Sequence, residues 1–119
     1  MKRLRNRILV TVVVIFVVVG ALIVARITGG GGQARTVNLV VSGTTLSPST
    51  PTVKQGDRVT MSVTADTAEE IHLHGYEIKF GIPKAGATAT QTFVADKSGS
   101  FEIEIEDSRT HLGQFNVSP

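Results

Sequence analysis

The sequence contains no cysteine and no tryptophan. Without cysteine the chain cannot form a disulfide, a thiolate metal site, a lipid-modified cysteine or a cysteine nucleophile. Aromatic residues are also few: beyond residue 33 they are Tyr76, Phe80, Phe93, Phe101 and Phe115. Valine, isoleucine and leucine must therefore supply most of the hydrophobic core, and the remaining length of about 85 residues is enough for one modest domain.

Charge is divided unequally along the chain. Residues 1–33 carry five basic residues and no acidic ones, whereas residues 34–119 carry seven basic and ten acidic residues. The formal net charge of +2 therefore combines a basic N-terminal segment with a mildly acidic C-terminal part. An acidic part without a basic stripe argues against nucleic-acid binding.

Residues 8–25 form an uncharged apolar run, ILVTVVVIFVVVGALIVA. As a helix this run would span about 27 Å, close to the ~30 Å hydrocarbon core of a bilayer. Four basic residues precede it and only one follows closely, so the positive-inside rule predicts a cytoplasmic N-terminus. We predict a single-pass protein of the cell membrane with these segments: a basic cytoplasmic tail (1–7), a transmembrane helix (8–26), a glycine-rich linker (27–36) and an extracytoplasmic domain (37–119).

A cleaved signal peptide would also combine a basic start with an apolar run. However, this run is longer than the usual signal core of about 7–15 residues. The best candidate cleavage site, Ile23-Val24-Ala25, has a bulky residue where a small one is preferred. We therefore favour an uncleaved anchor, with Gly29 to Gly32 as a flexible tether.

Beyond the linker, apolar and polar residues alternate in the manner of half-buried β-strands. The alternation is clearest over residues 58–65 and over residues 101–106, where three glutamates alternate with apolar residues. Further strand patterns occur at 37–41, 71–80, 88–94 and 115–117. About seven short strands separated by glycine and proline, with no helix beyond the anchor, predict an all-β antiparallel sandwich.

Three stretches of the predicted domain resemble the cupredoxin family. They are LSPSTPTVKQGDRV at 46–59, EEIHLHGY at 69–76, and KSGSFEIEI at 97–105 continuing to HLGQFNV at 111–117. The second stretch is similar to the segment that carries the family's first copper-binding histidine, and the third to its closing segment with the other ligands. The resemblance covers nearly all of residues 37–119 and implies a cupredoxin-like Greek-key sandwich.

The sequence departs from the family where the copper ligands should be. Ile105 stands at the position of the copper-binding cysteine, residues 106–110 contain no second histidine, and His111 stands at the position of the axial methionine. A blue-copper centre needs two histidines and a thiolate. We therefore predict that the protein is not a blue-copper electron carrier.

All three histidines of the chain lie in the stretches that the resemblance brings to one end of the sandwich. His72 and His74 leave the same face of a regular strand, and the parity of His111 with Phe115 favours an inward orientation. Imidazoles suit Cu(II), and also Zn, Ni or Fe. The sequence thus predicts a metal site of His72, His74 and His111, with copper as the candidate cofactor. An oxygen ligand or an orienting carboxylate could come from Glu69, Glu70, Glu106 or Asp107.

Ordinary structural roles remain open for the same residues. Inward histidines would be hydrogen-bonded core residues, and outward ones would be solvated. The glutamates at 102, 104 and 106 are interpreted as a wetted strand face, and no catalytic constellation is recognisable, so we predict no enzymatic activity. The predicted function is binding of copper or another divalent metal beside a membrane-protein partner. The alternative is a metal-free structural or interaction module of a membrane complex.

Overall fold

The computed structural model describes residues 32–119, so the segments predicted at 1–7 and 8–26 lie outside the described residues. Within residues 32–119, no helix has the length and apolar character needed to cross a membrane. This part of the chain consists of strands joined by turns. The strands are β1 (Ala34–Ser42), β2 (Thr45–Ser47), β3 (Thr52–Lys54), β4 (Arg58–Ala65), β5 (Glu69–Leu73), β6 (Ile78–Ile82), β7 (Thr88–Val94), β8 (Gly99–Ile105) and β9 (Thr110–Ser118).

The strands form two sheets. A four-stranded sheet has the order β2-β1-β4-β7, and a five-stranded sheet has the order β3-β9-β8-β5-β6. The predicted all-β architecture is confirmed. The prediction of a wholly antiparallel arrangement is wrong for two pairs, because β1 pairs with β4, and β3 with β9, in parallel. The chain crosses to the second sheet as β3 before returning as β4, and such a crossover permits parallel pairing.

Two strands were not expected from the sequence. Both β2 and β3 are three residues long, which is too short for an alternating pattern to be recognised. The pattern at 71–80, predicted as one strand interrupted at Gly75, is divided into β5 and β6 by a turn that contains Gly75. The first strand begins at Ala34, inside the segment predicted as linker. The strands expected at 88–94 and 101–106 are present as β7 and β8.

Alternate residues of the strands fill the space between the sheets. On β4, for example, Val59, Met61 and Val63 are buried, while Thr60 and Ser62 between them are partly exposed. Removing one such aliphatic side chain from water contributes about 1.5–3 kcal/mol. As the composition predicts, aliphatic residues dominate the largest fully buried side chains: Phe80, Phe115, Leu39, Met61, Ile71, Leu73, Ile103, Val41, Val59 and Val63.

A buried carboxylate fastens the start of β1 to the turn between β3 and β4. Asp57 is only 2% exposed. Its carboxylate accepts the backbone N–H groups of Gln33 and Lys54, both at 2.9 Å, and lies 3.3 Å from Nε of Arg35. Burial by itself would raise the pKa of Asp57, but the two backbone hydrogen bonds and Arg35 together hold that pKa below its usual value.

Replacing Asp57 by asparagine should therefore lower the free energy of unfolding by about 1–3 kcal/mol at neutral pH. Because the folded-state pKa lies below the unfolded one, the contribution of Asp57 is complete above about pH 4 and is lost as the pH falls through the folded-state pKa. Urea unfolding should show the difference between wild type and Asp57→Asn shrinking below that pH. The exposed Asp96, changed to asparagine, is the control; an equal effect of both changes would contradict the argument.

The turn between β5 and β6 is attached to the turn that precedes β8. The hydroxyl of Tyr76 donates to the carbonyl of Lys97 at 2.7 Å and accepts its backbone N–H at 3.0 Å, and Nζ of Lys97 donates to the carbonyl of Gly75 at 2.9 Å. Gly75 has a φ of +82°, and a Cβ atom there would overlap the ring of Phe101. Glycine is therefore required at this position by both conformation and space.

Gly75→Ala should destabilise the fold by about 1–3 kcal/mol from backbone conformation alone, with the overlap on Phe101 adding to it. Gly81 on β6 is the matched control, because no atom lies within 4 Å of the Cβ position there. Gly81→Ala should change the stability by no more than about 0.5 kcal/mol. Thermal melts followed by circular dichroism compare the two. Equal stability of the two variants would refute the requirement for glycine at position 75.

Candidate metal centre

The strands β5 and β8 carry apolar side chains on one face and ionisable side chains on the other. Ile71 pairs with Ile105, and Leu73 pairs with Ile103, and these four side chains lie in the core. Since successive side chains of a strand point to opposite faces, the residues between them lie on the outer face of the five-stranded sheet. On the β5 side these outward residues are His72 and, just after the strand, His74. On the β8 side they are Glu102, Glu104 and, just after the strand, Glu106.

The antiparallel register places the acids directly opposite the histidines. His72 pairs with Glu104. The backbone N–H of His74 donates to the carbonyl of Glu102 at 2.9 Å, so these two are also cross-strand neighbours. Neighbours of this kind have Cβ atoms about 4.5–5.5 Å apart. We call the resulting group the outer-face cluster: His72, His74, Glu77, Glu102, Glu104, Glu106 and His111.

His72 lies at the centre of the outer-face cluster and is 7% exposed. Its Nε2 atom is 2.9 Å from Oε2 of Glu77, in the turn that follows β5. Its Nδ1 atom is 3.0 Å from Oε2 of Glu106 and 3.8 Å from Oε1 of Glu104. Both ring nitrogens of His72 therefore face carboxylates.

His74 lies beside His72, with their ring centroids 4.3 Å apart. Its Nε2 atom is 2.5 Å from Oε1 of Glu104 and 3.7 Å from Oε1 of Glu102. The hydrogen bond to Glu104 raises the pKa of His74; the charges of Glu104, Glu102 and Glu77 act in the same direction, and burial opposes them. The expectation that His72 and His74 share a face is confirmed.

Glu104 connects the two histidines and is 7% exposed. A carboxylate removed from water is costly unless it has partners, and His74 supplies one. The alternation of residues 101–106 predicts a solvent-exposed strand face that includes this residue. That prediction is wrong for Glu104, because the side chains of His72 and His74 beside it lie against its carboxylate. The alternation of three glutamates was visible in the sequence, but its pairing with the histidine strand was not.

Glu77 reaches His72 from a left-handed backbone conformation. Its φ is +53°, which is uncommon for a residue other than glycine. Its Oε1 atom accepts the backbone N–H of Gly75 at 3.2 Å, and its Oε2 atom faces His72. The hydrogen bond from Gly75, followed by that with His72, lowers the pKa of Glu77. The turn thus holds an ionised carboxylate against one nitrogen of His72.

His111 lies apart from the histidine pair. Its inward orientation, predicted from parity, is wrong: the pairing of β8 with β9 shifts between Ile103 and Glu104, and this irregularity turns His111 to the exposed side. There Nδ1 of His111 is 2.8 Å from Oε2 of Glu102. Because Glu102 also approaches His74, a single carboxylate separates His111 from the pair. Participation of His111 in metal binding stays a prediction.

The geometry assembles three potential metal ligands. His72, His74 and Glu104 each offer one ligand atom, and these atoms lie within 4.8 Å of one another. Zn–N and Zn–O bonds are about 2.0–2.2 Å long, so modest side-chain movements would bring all three onto one ion. Two of the three histidines predicted from the sequence are therefore together, and a glutamate joins them.

The residues that match the family's ligand positions do not fit a blue-copper centre. Ile105 stands where the resemblance expects the cysteine, is 9% exposed and belongs to the core. His72 lies on the opposite face of the sheet. An aliphatic side chain offers no electron pair to a metal, so the sulfur-containing set that blue copper requires is not assembled here.

Neither a protein-family model nor a curated protein matches the sequence. Solved structures do match. The metal-binding domain of the Cu(I)-exporting P-type ATPase CopA of Streptococcus pneumoniae, determined with Cu(I), has a TM-score of 0.62 at 15% identity, covering 76% of this chain and 90% of that one. Auracyanin A, a blue copper protein of Chloroflexus aurantiacus, has a TM-score of 0.58 at 13% identity, covering 71% and 99%.

A copper-binding protein in its apo form is also similar, with a TM-score of 0.55 at 13% identity over 76% of this chain and 91% of that one. Identities this low show a shared fold and nothing finer. The strand arrangement and these structural neighbours together lead to one conclusion: the described part of the chain has a cupredoxin-like fold.

Proposed function

We propose that the protein is a non-catalytic module that binds a divalent metal ion through His72, His74 and Glu104. The observation that carries this proposal is the convergence of the three ligand atoms within 4.8 Å. Support also comes from the structural neighbours, several of which are described as binding copper. Imidazole and carboxylate are established ligands of Zn(II) and Cu(II), which makes these the candidate ions.

The donor set favours a divalent ion over Cu(I). Soft thiolate and thioether ligands select Cu(I). The chain has no cysteine, and Met61 is buried in the core with 1% exposure. The proposed site therefore offers only nitrogen and oxygen, unlike a site designed for reduced copper.

Calorimetric titration of the full-length chain, purified in detergent and stripped with a chelator, tests the proposal. Zn(II) or Cu(II) should bind with one ion per chain. His72→Gln and His74→Gln should each weaken binding by about 100-fold or more, since losing a direct ligand exceeds the 10–100-fold effect of an outer-shell change. His111→Gln should weaken it less than tenfold. Unchanged affinity in both the His72 and His74 variants would overturn the proposal.

A metal-free interaction module is the second candidate. Its support is that each histidine of the outer-face cluster already has a carboxylate partner. The polar groups of the cluster can therefore be satisfied without a metal ion. The same titrations separate the candidates, because this one predicts no heat of binding and identical thermal melts with metal and with chelator.

We further propose that the domain is tethered to the outer side of the cell membrane, where it would deliver metal to a membrane-protein partner or shield it. The apolar run at 8–25 and the basic residues before it support this placement. Protease added to intact cells should remove an epitope tag at the C-terminus and leave one at the N-terminus protected. Protection of both tags would contradict the proposed topology.

A further inference from the structure

One oxygen of Glu106 is left without a partner in the outer-face cluster. Its Oε2 atom is almost inaccessible to solvent and forms no hydrogen bond with any group of residues 32–119, although it lies only 3.0 Å from Nδ1 of His72. The other oxygen, Oε1, is 3.8 Å from Nζ of Lys79. A buried acceptor without a partner costs free energy. A cation held next to Oε2 and Nδ1 would remove that cost.

The contacts of His72 indicate which of its nitrogens would face such a cation. A metal-bound histidine commonly donates its other ring N–H to a carboxylate, which fixes the tautomer and the ring orientation. Glu77 occupies that role at Nε2, at 2.9 Å. With the proton on Nε2, the Nδ1 atom presents its lone pair on the side where Glu104 and Glu106 lie.

We propose that Glu106 is a fourth ligand of the metal site and that Glu77 is a positioning residue acting through His72. This inference rests on the proposed function. The site then consists of Nδ1 of His72, Nε2 of His74 and one oxygen each from Glu104 and Glu106. Two carboxylates balance the two positive charges of the ion, and four nitrogen and oxygen ligands match the coordination number of zinc sites.

Glu70 provides a matched control for Glu106. Both lie on the outer face, their backbones are joined by the hydrogen bond from Glu106 N–H to the carbonyl of Glu70, and both carboxylates are 3.8 Å from Nζ of Lys79. Only Glu106 also faces His72. Changing either to glutamine removes one negative charge from the same neighbourhood, so a difference between the two variants reports direct ligation.

The test uses the full-length chain with Co(II), whose visible absorption is intense in four-coordinate sites and weak in six-coordinate ones, and with Zn(II) in competition. Glu106→Gln should weaken Zn(II) binding by about 100-fold and reduce the Co(II) absorption. Glu77→Gln should weaken binding by about 10–100-fold and leave the Co(II) spectrum unchanged. Glu70→Gln should weaken it less than tenfold. Glu106→Asp, which keeps the charge with a shorter reach, should fall between wild type and Glu106→Gln.

The outcomes separate this inference from the proposed function. Absence of ion binding by the wild-type chain would overturn both. Binding that needs His72 and His74 but is the same in Glu106→Gln as in wild type would overturn the fourth ligand alone. Equal weakening by Glu106→Gln and Glu70→Gln would also overturn it, because the effect would then be one of overall charge. Circular dichroism checks the fold of each variant, and Glu106→Asp supplies the decision if Glu106→Gln does not fold.

Discussion

The antiparallel register of β5 and β8 is the constraint on which both the core and the candidate site depend. It places isoleucine and leucine side chains against each other on one face and histidine against glutamate on the other. A slip of one residue would move every one of these side chains to the opposite face. The aliphatic residues cannot be exposed without losing their burial, which contributes about 1.5–3 kcal/mol for each side chain. The hydrophobic core therefore fixes the geometry of the polar cluster.

Electrostatics on the outer face is unbalanced in favour of negative charge. Neighbouring glutamates repel one another, and the half-buried position of some of them strengthens that repulsion by lowering the local dielectric. Lys79 approaches two of the carboxylates at 3.8 Å. A surface of this kind favours added positive charge, whether a proton on His74 or a metal ion. The negative charge of the outer face therefore supports the proposal that a metal cation binds there.

The sequence predicted the features that arise from local patterns. Alternation of apolar and polar residues indicated a β-sandwich, and the spacing of two residues placed His72 and His74 on one face. The features that depend on distant pairing were not accessible. Glu106 was one of four acidic residues that the sequence offered as an oxygen ligand, whereas Glu104 joins the histidines only through the pairing of β8 with β5. The orientation predicted for His111 was wrong because an irregularity in the β8–β9 pairing interrupts the parity count. Parallel pairing of β1 with β4 likewise follows from a crossover that no local pattern reveals.

The location of the proposed site distinguishes it from a metal centre enclosed in the core. The core position that the resemblance assigns to a sulfur ligand is filled by Ile105, which packs as an aliphatic residue. Metal chemistry on these strands is then restricted to their other face, where the side chain of His74 is 40% exposed. His74 could be reached by a competing ligand from another molecule, whereas His72 and Glu104 are nearly buried. In the proposed site, exchange of an ion would therefore begin at His74. Electron transfer benefits from a rigid, enclosed ion, whereas the proposed delivery of a metal requires an exchangeable one, and a site with one exposed ligand is compatible with that proposal.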